Sequence, residues 1–150
     1  MKLSTKGRYG LRAMVDLALN SKDTNVPINS ISERQAISEN YLEQLIAKLK
    51  KAGLVKSTRG AQGGYSLNKV PEEITIGDIL RALEGDLSPV ECSLIKEEME
   101  CEGEEQCVTK YVWKKISDSI NKVVDEITLE DLVKENTNLN GNDKTTNKHC

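Results

Sequence analysis

Residues 38–67, SENYLEQLIAKLKKAGLVKSTRGAQGGYSL, decide the fold. Ser38 is a favourable helix N-cap, and apolar residues recur after it at helical spacing. Gly53 is well placed to adopt the left-handed conformation that ends such a helix. Two short β-prone runs, LVKST and YSL, then surround the glycine-rich turn RGAQGG. The stretch therefore predicts a helix followed directly by a β-hairpin.

The flanking sequence completes this motif. A short helix over 28–36 precedes Ser38 and predicts a helix-turn-helix, which with the hairpin makes a winged helix. Before it, Ser4 or Thr5 can cap a first, mostly buried helix through RYGLRAMVDLALN. After the hairpin, a capping-box-like start in TIGDILRALEG predicts a further helix that Gly85 closes. The predicted fold class is mainly α with a small β-hairpin wing, followed by a long dimerisation helix.

A long amphipathic helix is predicted from about residue 108. Its apolar residues recur every three or four positions and form one stripe: Val108, Val112, Ile116, Ile120, Val123 and Ile127. We interpret the stripe as a dimer interface centred on Val112, Ile116, Ile120 and Val123; the alternative is that it packs only on its own domain. A short helix then begins at Thr128.

These elements predict four regions. Residues 1–85 form the DNA-binding domain, 86–107 a cysteine-containing loop, 108–135 the dimerisation helix with a short helix after it, and 136–150 a disordered polar tail. The net charge of −3 hides an asymmetry. Residues 1–70 carry 12 Lys and Arg against 5 Asp and Glu, whereas residues 71–150 carry 9 against 19. A basic half suits an anionic partner such as nucleic acid, although it also serves solubility.

Several polar residues are candidates for reading DNA. With the apolar face of the 38–52 helix anchored, Asn40, Glu43 and Gln44 share the opposite surface, and these residue types pair with base edges. Arg59 lies at the hairpin tip, where an arginine suits a narrow minor groove and glycines let the backbone approach a strand. A solvated helix face is the alternative. The predicted DNA-binding set is Ser38, Asn40, Tyr41, Glu43, Gln44, Arg59, Gly60 and Gly63.

Three of the four cysteines lie in one acidic segment, CSLIKEEMECEGEEQC at 92–107. Negative neighbours raise the pKa of a thiol, so a metal is a stronger reason for thiolates there than nucleophilic catalysis. The N-terminus is too charged for a secretory leader, and no apolar run approaches the roughly 18 residues of a membrane span. We therefore expect a cytoplasmic protein with no membrane partner, in which clustered cysteines bind metal or sense redox state.

The motifs MKLSTKGRYGLRAMVDLALN, SERQAISENYLEQL, KAGLVKSTRGAQGGY, ITIGDILRALEG and ITLEDL resemble those of the IscR/NsrR/CymR family of winged-helix transcription regulators. The resemblance covers nearly residues 1–133. It implies a homodimeric repressor that binds palindromic operator DNA. It also implies that Cys92, Cys101 and Cys107 ligate a 2Fe–2S cluster. Finally, the resemblance places Ser38, Asn40, Glu43 and Arg59 at positions where the family touches DNA.

Two departures leave the fourth cluster ligand open. The iron-sulfur members have a histidine three residues after the last cysteine, where this chain has Lys110, and a protonated lysine is not a ligand. Other members use an acidic residue of the other subunit, where this chain has Arg8. The remaining candidates are Glu100, Glu104, His149 and Cys150.

Three other functions are weighed against the cluster-dependent regulator. A regulator of cysteine metabolism would sense thiol oxidation, or bind a metabolic enzyme as corepressor, without a cluster. A small iron-sulfur electron carrier would not need a recognition helix. An enzyme is not expected, because His149 is the only histidine and no nucleophile, acid and base come together.

Overall fold

The computed structural model describes residues 3–92 and 100–142. Within these ranges the chain forms six α-helices and one antiparallel two-stranded sheet. None of the helices described is long and apolar enough to cross a membrane. In chain order the elements are α1 (Thr5–Asn20), α2 (Ile28–Gln35), α3 (Glu39–Lys51), β1 (Val55–Thr58), β2 (Gly64–Leu67), α4 (Ile76–Glu84), α5 (Lys110–Glu126) and α6 (Leu129–Asn142).

Helix α1 is the centre of the core. Ser4 caps it, since its side chain accepts a hydrogen bond from the N–H of Lys6. Helices α2, α3, α4 and α6 all pack against it. Its inward residues Ala13, Met14 and Leu17 are completely buried, as the sequence predicted for a mostly buried helix. An aliphatic core of this kind is what a chain without phenylalanine must use.

The helix-turn-helix and wing predicted from the sequence are both confirmed. Ala36 adopts the left-handed conformation (φ 53°) at the end of α2, and Gly53 does so (φ 78°) just after α3. In the hairpin, β1 and β2 pair with Val55 opposite Leu67. The segment before α2 adds a further rung, because Val26 exchanges two 2.8 Å backbone hydrogen bonds with Tyr65 of β2.

Helices α4 and α6 begin side by side with the same local motif. Thr75 and Asp78 form a reciprocal capping box at the start of α4, as predicted. Thr128 and Asp131 make the equivalent pair of hydrogen bonds at the start of α6. Because the backbones of 74–76 and 127–129 are also hydrogen-bonded to each other, the chain beyond α5 returns to the N-terminal domain.

Two boundaries differ from the prediction. Helix α5 begins at Lys110 rather than near residue 108. Helix α6 continues to Asn142 and so includes residues 136–142, which were predicted to belong to a disordered tail. Once a helix is nucleated and anchored at buried Leu129 and Val133, each added turn is inexpensive, even with a polar sequence. Residues 143–150 of the predicted tail lie outside the described residues.

Candidate DNA-binding surface and cysteine segment

The N-terminal half of α3 presents a polar surface to solvent. Ser38 caps the helix, and its Oγ accepts a hydrogen bond from the N–H of Tyr41 at 3.3 Å. The apolar side of the helix is buried in the core. Asn40, Glu43 and Gln44 are exposed on the other side. Their amide and carboxylate groups are therefore accessible to the edges of bases.

A buried carboxylate fixes α2 relative to α1. Asp16 is 2% exposed, and its two oxygens accept hydrogen bonds from Arg34 at 2.7 and 2.9 Å. The side-chain amide of Gln35 donates to the same carboxylate at 3.0 Å. The hydrogen bond to Asp16, opposed in part by burial, raises the pKa of the Arg34 guanidinium. This two-pronged, charge-assisted contact sets the position of α2, and through it the entry to α3.

A second set of side chains joins α1 to α3. The guanidinium of Arg12 donates to Gln35 and lies 5.3 Å from the centre of the Tyr9 ring. Tyr9 meets Tyr41 edge to face at a centroid distance of 5.9 Å. The hydroxyls of Tyr41 and Thr5 are hydrogen-bonded at 3.1 Å. Tyr41, which the sequence placed in the DNA-binding set, is thus half-buried at the edge of the recognition surface.

The wing carries Arg59 at its exposed tip. Gly60 beside it has a φ of 109°, which favours glycine, and its carbonyl accepts a hydrogen bond from Gly63 at 3.0 Å. A side chain at Gly63 would collide with the backbone of Thr58, so this glycine is required by the turn itself. Arg59 and Gly60 are exposed and Gly63 is half-buried. The turn between β1 and β2 therefore presents the Arg59 cation to solvent.

The apolar stripe on α5 is divided between core and solvent. Ile120 packs against the chain's own core, and Ile116 is half-buried. Val112 and Val123, in contrast, are 52% and 55% exposed. Val108 is 78% exposed and precedes the helix. One edge of the stripe, with Ile120, thus packs on its own domain, and the other edge, with Val112 and Val123, is exposed.

An ion pair attaches α5 to α4. The two terminal nitrogens of the Arg81 guanidinium donate to Asp125, at 2.7 and 2.9 Å, and one of them also donates to Asn121 at 2.6 Å. The hydrogen bond from Arg81 lowers the pKa of Asp125, and the same contact raises the pKa of Arg81. Because both partners are over a third exposed, solvent weakens the pair, and its main role is to orient α5.

The three clustered cysteines lie in the connection between α4 and α5. Cys92 and Cys107 are half-buried, whereas Cys101 is exposed. Cys107 directly precedes α5, and its sulfur is 3.3 Å from the hydroxyl oxygen of Thr109. That hydrogen bond, together with the N–H of Lys110, lowers the pKa of the Cys107 thiol. The sequence had suggested the opposite effect from the surrounding glutamates, because it gave no sign of these local donors.

Lys110 stands at the position where the resemblance implies a histidine, and its side chain contacts the neighbouring turn. Its ammonium donates to the carbonyl of Glu104 at 2.8 Å and lies 5.6 Å from the centre of the Tyr111 ring. It thereby holds the turn 104–106 against the start of α5. Of the four fourth-ligand candidates, Glu100 is exposed and Glu104 is half-buried, and His149 and Cys150 lie outside the described residues.

The cysteines match an iron-sulfur cluster in the kind of atom they supply. Three thiols on one connecting segment are typical cluster ligands, and one of them already has a lowered pKa. In the described ranges, however, they are not drawn together with another His, Cys, Asp or Glu into a group arranged to hold a metal ion.

The sequence did not reveal the contacts that position this surface. Asp16 and Arg34, which bind each other, are 18 residues apart in the chain. Glu84 at the end of α4 accepts a hydrogen bond from the N–H of Ser4, which is 80 residues away. One signal was available: Asp16 interrupts the apolar run MVDLAL on a helix face that must be buried. A carboxylate in such a place needs a partner.

Comparison with known proteins agrees with this architecture. The family model Rrf2, described as an iron-dependent transcriptional regulator, matches residues 3–135. The regulator IscR of Vibrio atlanticus is 42% identical over 144 residues, covering 96% of this chain and 82% of that protein. The solved structure of T. potens IscR is 46% identical with a TM-score of 0.74, and the match covers 99% of this chain and 94% of that one.

The regulator CymR of Bacillus subtilis is equally similar. It is 47% identical over 132 residues, covering 88% of this chain and 89% of that protein. Its structure, described as that of the global cysteine regulator, matches with a TM-score of 0.73 and 45% identity over 90% of this chain and 98% of that one. These relatives are named as transcriptional regulators and not as enzymes, and their structures confirm the winged-helix fold. The chain therefore belongs to the Rrf2 family of DNA-binding transcriptional regulators.

Proposed function

We propose that the protein is a homodimeric repressor whose binding to palindromic operator DNA depends on a 2Fe–2S cluster held by Cys92, Cys101 and Cys107. The placement of these cysteines carries the proposal. They occupy the connection between α4, which packs on α1 and α3, and α5, which carries the uncovered apolar edge. A change in this connection acts on both helices at once.

The DNA-binding role belongs to α3 and the wing. Asn40, Glu43 and Gln44 are exposed at the N-terminal part of α3, where a recognition helix meets base edges in the major groove. Arg59 extends from the wing tip toward the adjacent minor groove. The surplus of cations in residues 1–70 adds the sequence-independent attraction to phosphate.

The dimer forms through α5. Val112 and Val123 expose apolar surface on one edge of a 17-residue helix, with Ile116 between them. A palindromic operator requires two recognition helices related by a twofold axis, so a second copy of the chain is the fitting partner for this edge.

The cluster ligands are the three loop thiols, with the fourth position unassigned. A bound cluster would supply one-electron redox chemistry and sensitivity to iron and oxygen. The chain's own contribution is to hold Cys107 with a lowered thiol pKa at the start of α5, and to leave Cys92 and Cys101 on the flanking segment. Genes of iron-sulfur assembly or sulfur metabolism are the expected targets.

A cluster-free sensor of cysteine status is the second candidate. The equal similarity to CymR favours it, as does the absence of a preassembled metal-binding group in residues 3–92 and 100–142. A thiol with a lowered pKa is also more easily oxidised. In this case Cys107 would respond directly, or a metabolic enzyme would bind as corepressor.

Anaerobic purification separates the two candidates. The cluster-dependent regulator is expected to be red-brown, with iron and sulfide in equal amounts, and Cys92→Ala, Cys101→Ala and Cys107→Ala should each remove most of the colour. Lys110→Ala is the control next to the ligands, and it should keep the colour, because a protonated lysine supplies no ligand. A colourless wild-type protein that still binds promoter DNA would support the second candidate instead. Full iron occupancy in Cys101→Ala would remove that residue from the ligand set.

A further inference from the structure

A groove lined by three lysines lies beside the recognition helix. Lys6 comes from the first turn of α1, and Lys48 and Lys51 from the last turns of α3. The end of α4, residues 81–85, forms the remaining wall. All three lysines are exposed, and within the described residues none of them forms an ion pair.

The other charged groups of the groove are already engaged. Glu84 accepts hydrogen bonds from the N–H and hydroxyl of Ser4 at 2.9 and 2.5 Å and from the N–H of Gly7 at 3.0 Å. Arg81 is held by Asp125 and Asn121. The groove thus contains one occupied carboxylate and three lysines that are available to an anion.

Helix stability does not explain all three lysines. Lys48 and Lys51 lie at the C-terminal end of α3, where a cation is favourable for the helix dipole. Lys6 lies in the first turn of α1, the positive end of that dipole, where a cation is locally unfavourable. Its attraction to Glu84, whose pKa it helps to lower, offsets part of this cost. Because Glu84 already accepts three hydrogen bonds, the cluster of three lysines still leaves positive charge for an anion.

The position of the groove identifies the anion. Lys48 is seven residues, or two turns, after Tyr41 on the same side of α3, and Tyr41 is hydrogen-bonded to Thr5 beside Lys6. On the other side of α3, Lys50 donates to Ser57 of the wing at 2.7 Å. The helix that enters the major groove is thus bordered by the wing on one side and the lysine groove on the other. The C-terminal end of a recognition helix contacts the DNA backbone in homeodomains as well.

We infer that the groove formed by Lys6, Lys48 and Lys51 binds a backbone phosphate of the DNA, on the side of α3 opposite the wing. The inference deepens the proposed function and depends on it. Such a contact orients the protein on the duplex without reading sequence. It therefore fixes how far Asn40 and Glu43 reach into the major groove.

The salt dependence of DNA binding tests the site. The variants are Lys6→Gln, Lys48→Gln, Lys51→Gln and the three combined, all in the full chain, and the probes are a duplex selected by the wild-type protein from a random library and a random duplex of equal length. Because the three lysines share one phosphate, the combined variant should lose that contact in each protomer and lower the slope of log Kd against log salt by about 1.8 per dimer. Each single variant should lower the slope by less. The affinity for both duplexes should fall by the same factor, so that their ratio is unchanged.

The control is Lys134→Gln, which removes the same charge from an exposed position on α6. It should keep the wild-type slope. A scan of single neutral methylphosphonates along the selected duplex should also find a position in each half-site that weakens the wild-type protein but not the combined lysine variant. Slopes equal to that of Lys134→Gln would overturn the site, and a lower melting temperature with an unchanged slope would assign the lysines to helix stability instead. A wild-type protein that selects no duplex would contradict the proposed function itself.

Discussion

The winged-helix module, which comprises α1 to α4 and the β1–β2 hairpin, differs from helix α5 in where its apolar side chains lie. Leu42 and Leu49 of α3 have no exposed surface, and Leu45 and Ile46 between them are 1% exposed. On α5 the corresponding positions of the stripe, Val112 and Val123, are more than half exposed. The two helices have similarly clear apolar periodicity in the sequence, yet only α3 has its apolar side chains fully covered by its own chain.

This difference shows what each region needs to be complete. Burial of apolar surface contributes roughly 25 cal/mol per Å², and the module obtains it within one chain, with Leu129 and Val133 of α6 completing its core. The outer edge of α5 leaves this contribution unused in one chain. We therefore interpret the module as complete within one chain and the outer edge of α5 as a surface completed by a second copy.

The largest expected effect is on the dimer. In Val112→Glu/Val123→Glu, association would bury four unpaired carboxylates per dimer, at a cost of several kcal/mol. We expect monomers in sedimentation velocity and at least a 100-fold weaker Kd for the selected duplex, about 2.7 kcal/mol. Both valines are over half exposed, so the monomer itself should stay folded.

The control for this variant is Lys114→Gln/Lys122→Gln. It makes the same helix more negative by two units at exposed positions, whose lysines pair with Asp118 and Glu126 in the next turn. It should remain dimeric. If the valine variant also remains dimeric, the interface lies elsewhere on the chain.

A second prediction concerns the Asp16–Arg34 ion pair, which stabilises the module from within. Arg34→Met leaves the Asp16 carboxylate buried without its cation, and because Arg34 is partly exposed and Gln35 still donates, we expect a cost of about 1–3 kcal/mol. Urea unfolding should show this loss. The double variant Asp16→Asn/Arg34→Met should recover part of it, because no buried charge is left. A loss below about 0.5 kcal/mol for Arg34→Met would mean that Gln35 and Asn20 alone satisfy the carboxylate.

The same comparison explains how far the sequence could predict the structure. Local signals predicted the Ser38 cap, the Thr75 and Asp78 box and the left-handed Gly53, because each depends on residues a few positions apart. The winged helix and the exposure of Asn40 and Glu43 followed from those signals.

Contacts between distant residues were beyond such reasoning. The bond of Glu84 to Ser4 joins residues 80 apart, and periodicity contains no information on it. The same limit applies to the division of the α5 stripe, since Ile120 and Val123 have the same apolar character but different surroundings. The lowered pKa of the Cys107 thiol escaped prediction for a different reason: its donors Thr109 and Lys110 are near in sequence, but their hydrogen bonds depend on the local backbone geometry before α5.

A third prediction separates two parts of the module's own surface. Glu43→Ala should reduce discrimination at one base pair by about 1–3 kcal/mol, because the carboxylate accepts a hydrogen bond from a base edge. Arg59→Ala should weaken binding to selected and random duplexes alike, through lost minor-groove and phosphate contacts. Competition titrations with single-base variants of the selected duplex measure both effects. Equal losses on the two duplexes for Glu43→Ala would exclude it from base reading.

The smallest expected effect lies inside the module, where Glu84 at the end of α4 holds the start of α1. Burial acts to raise the pKa of this carboxyl, but the hydrogen bonds from Ser4 and Gly7 outweigh it and lower the pKa below the ordinary value of 4.5. A folded-state pKa below the unfolded one adds stability above that ordinary value, and this stability is lost as the pH falls through the folded pKa.

Glu84→Gln should therefore cost about 1 kcal/mol at pH 7, and the difference from wild type should shrink between about pH 5 and pH 3. Urea unfolding of both proteins over this range measures the difference directly. Asp125 and Asp131, whose pKa values are also lowered, are present in both proteins and cancel. A difference that stays constant with pH would mean that the amide replaces the carboxylate fully, and that the charge of Glu84 has no part in joining α4 to α1.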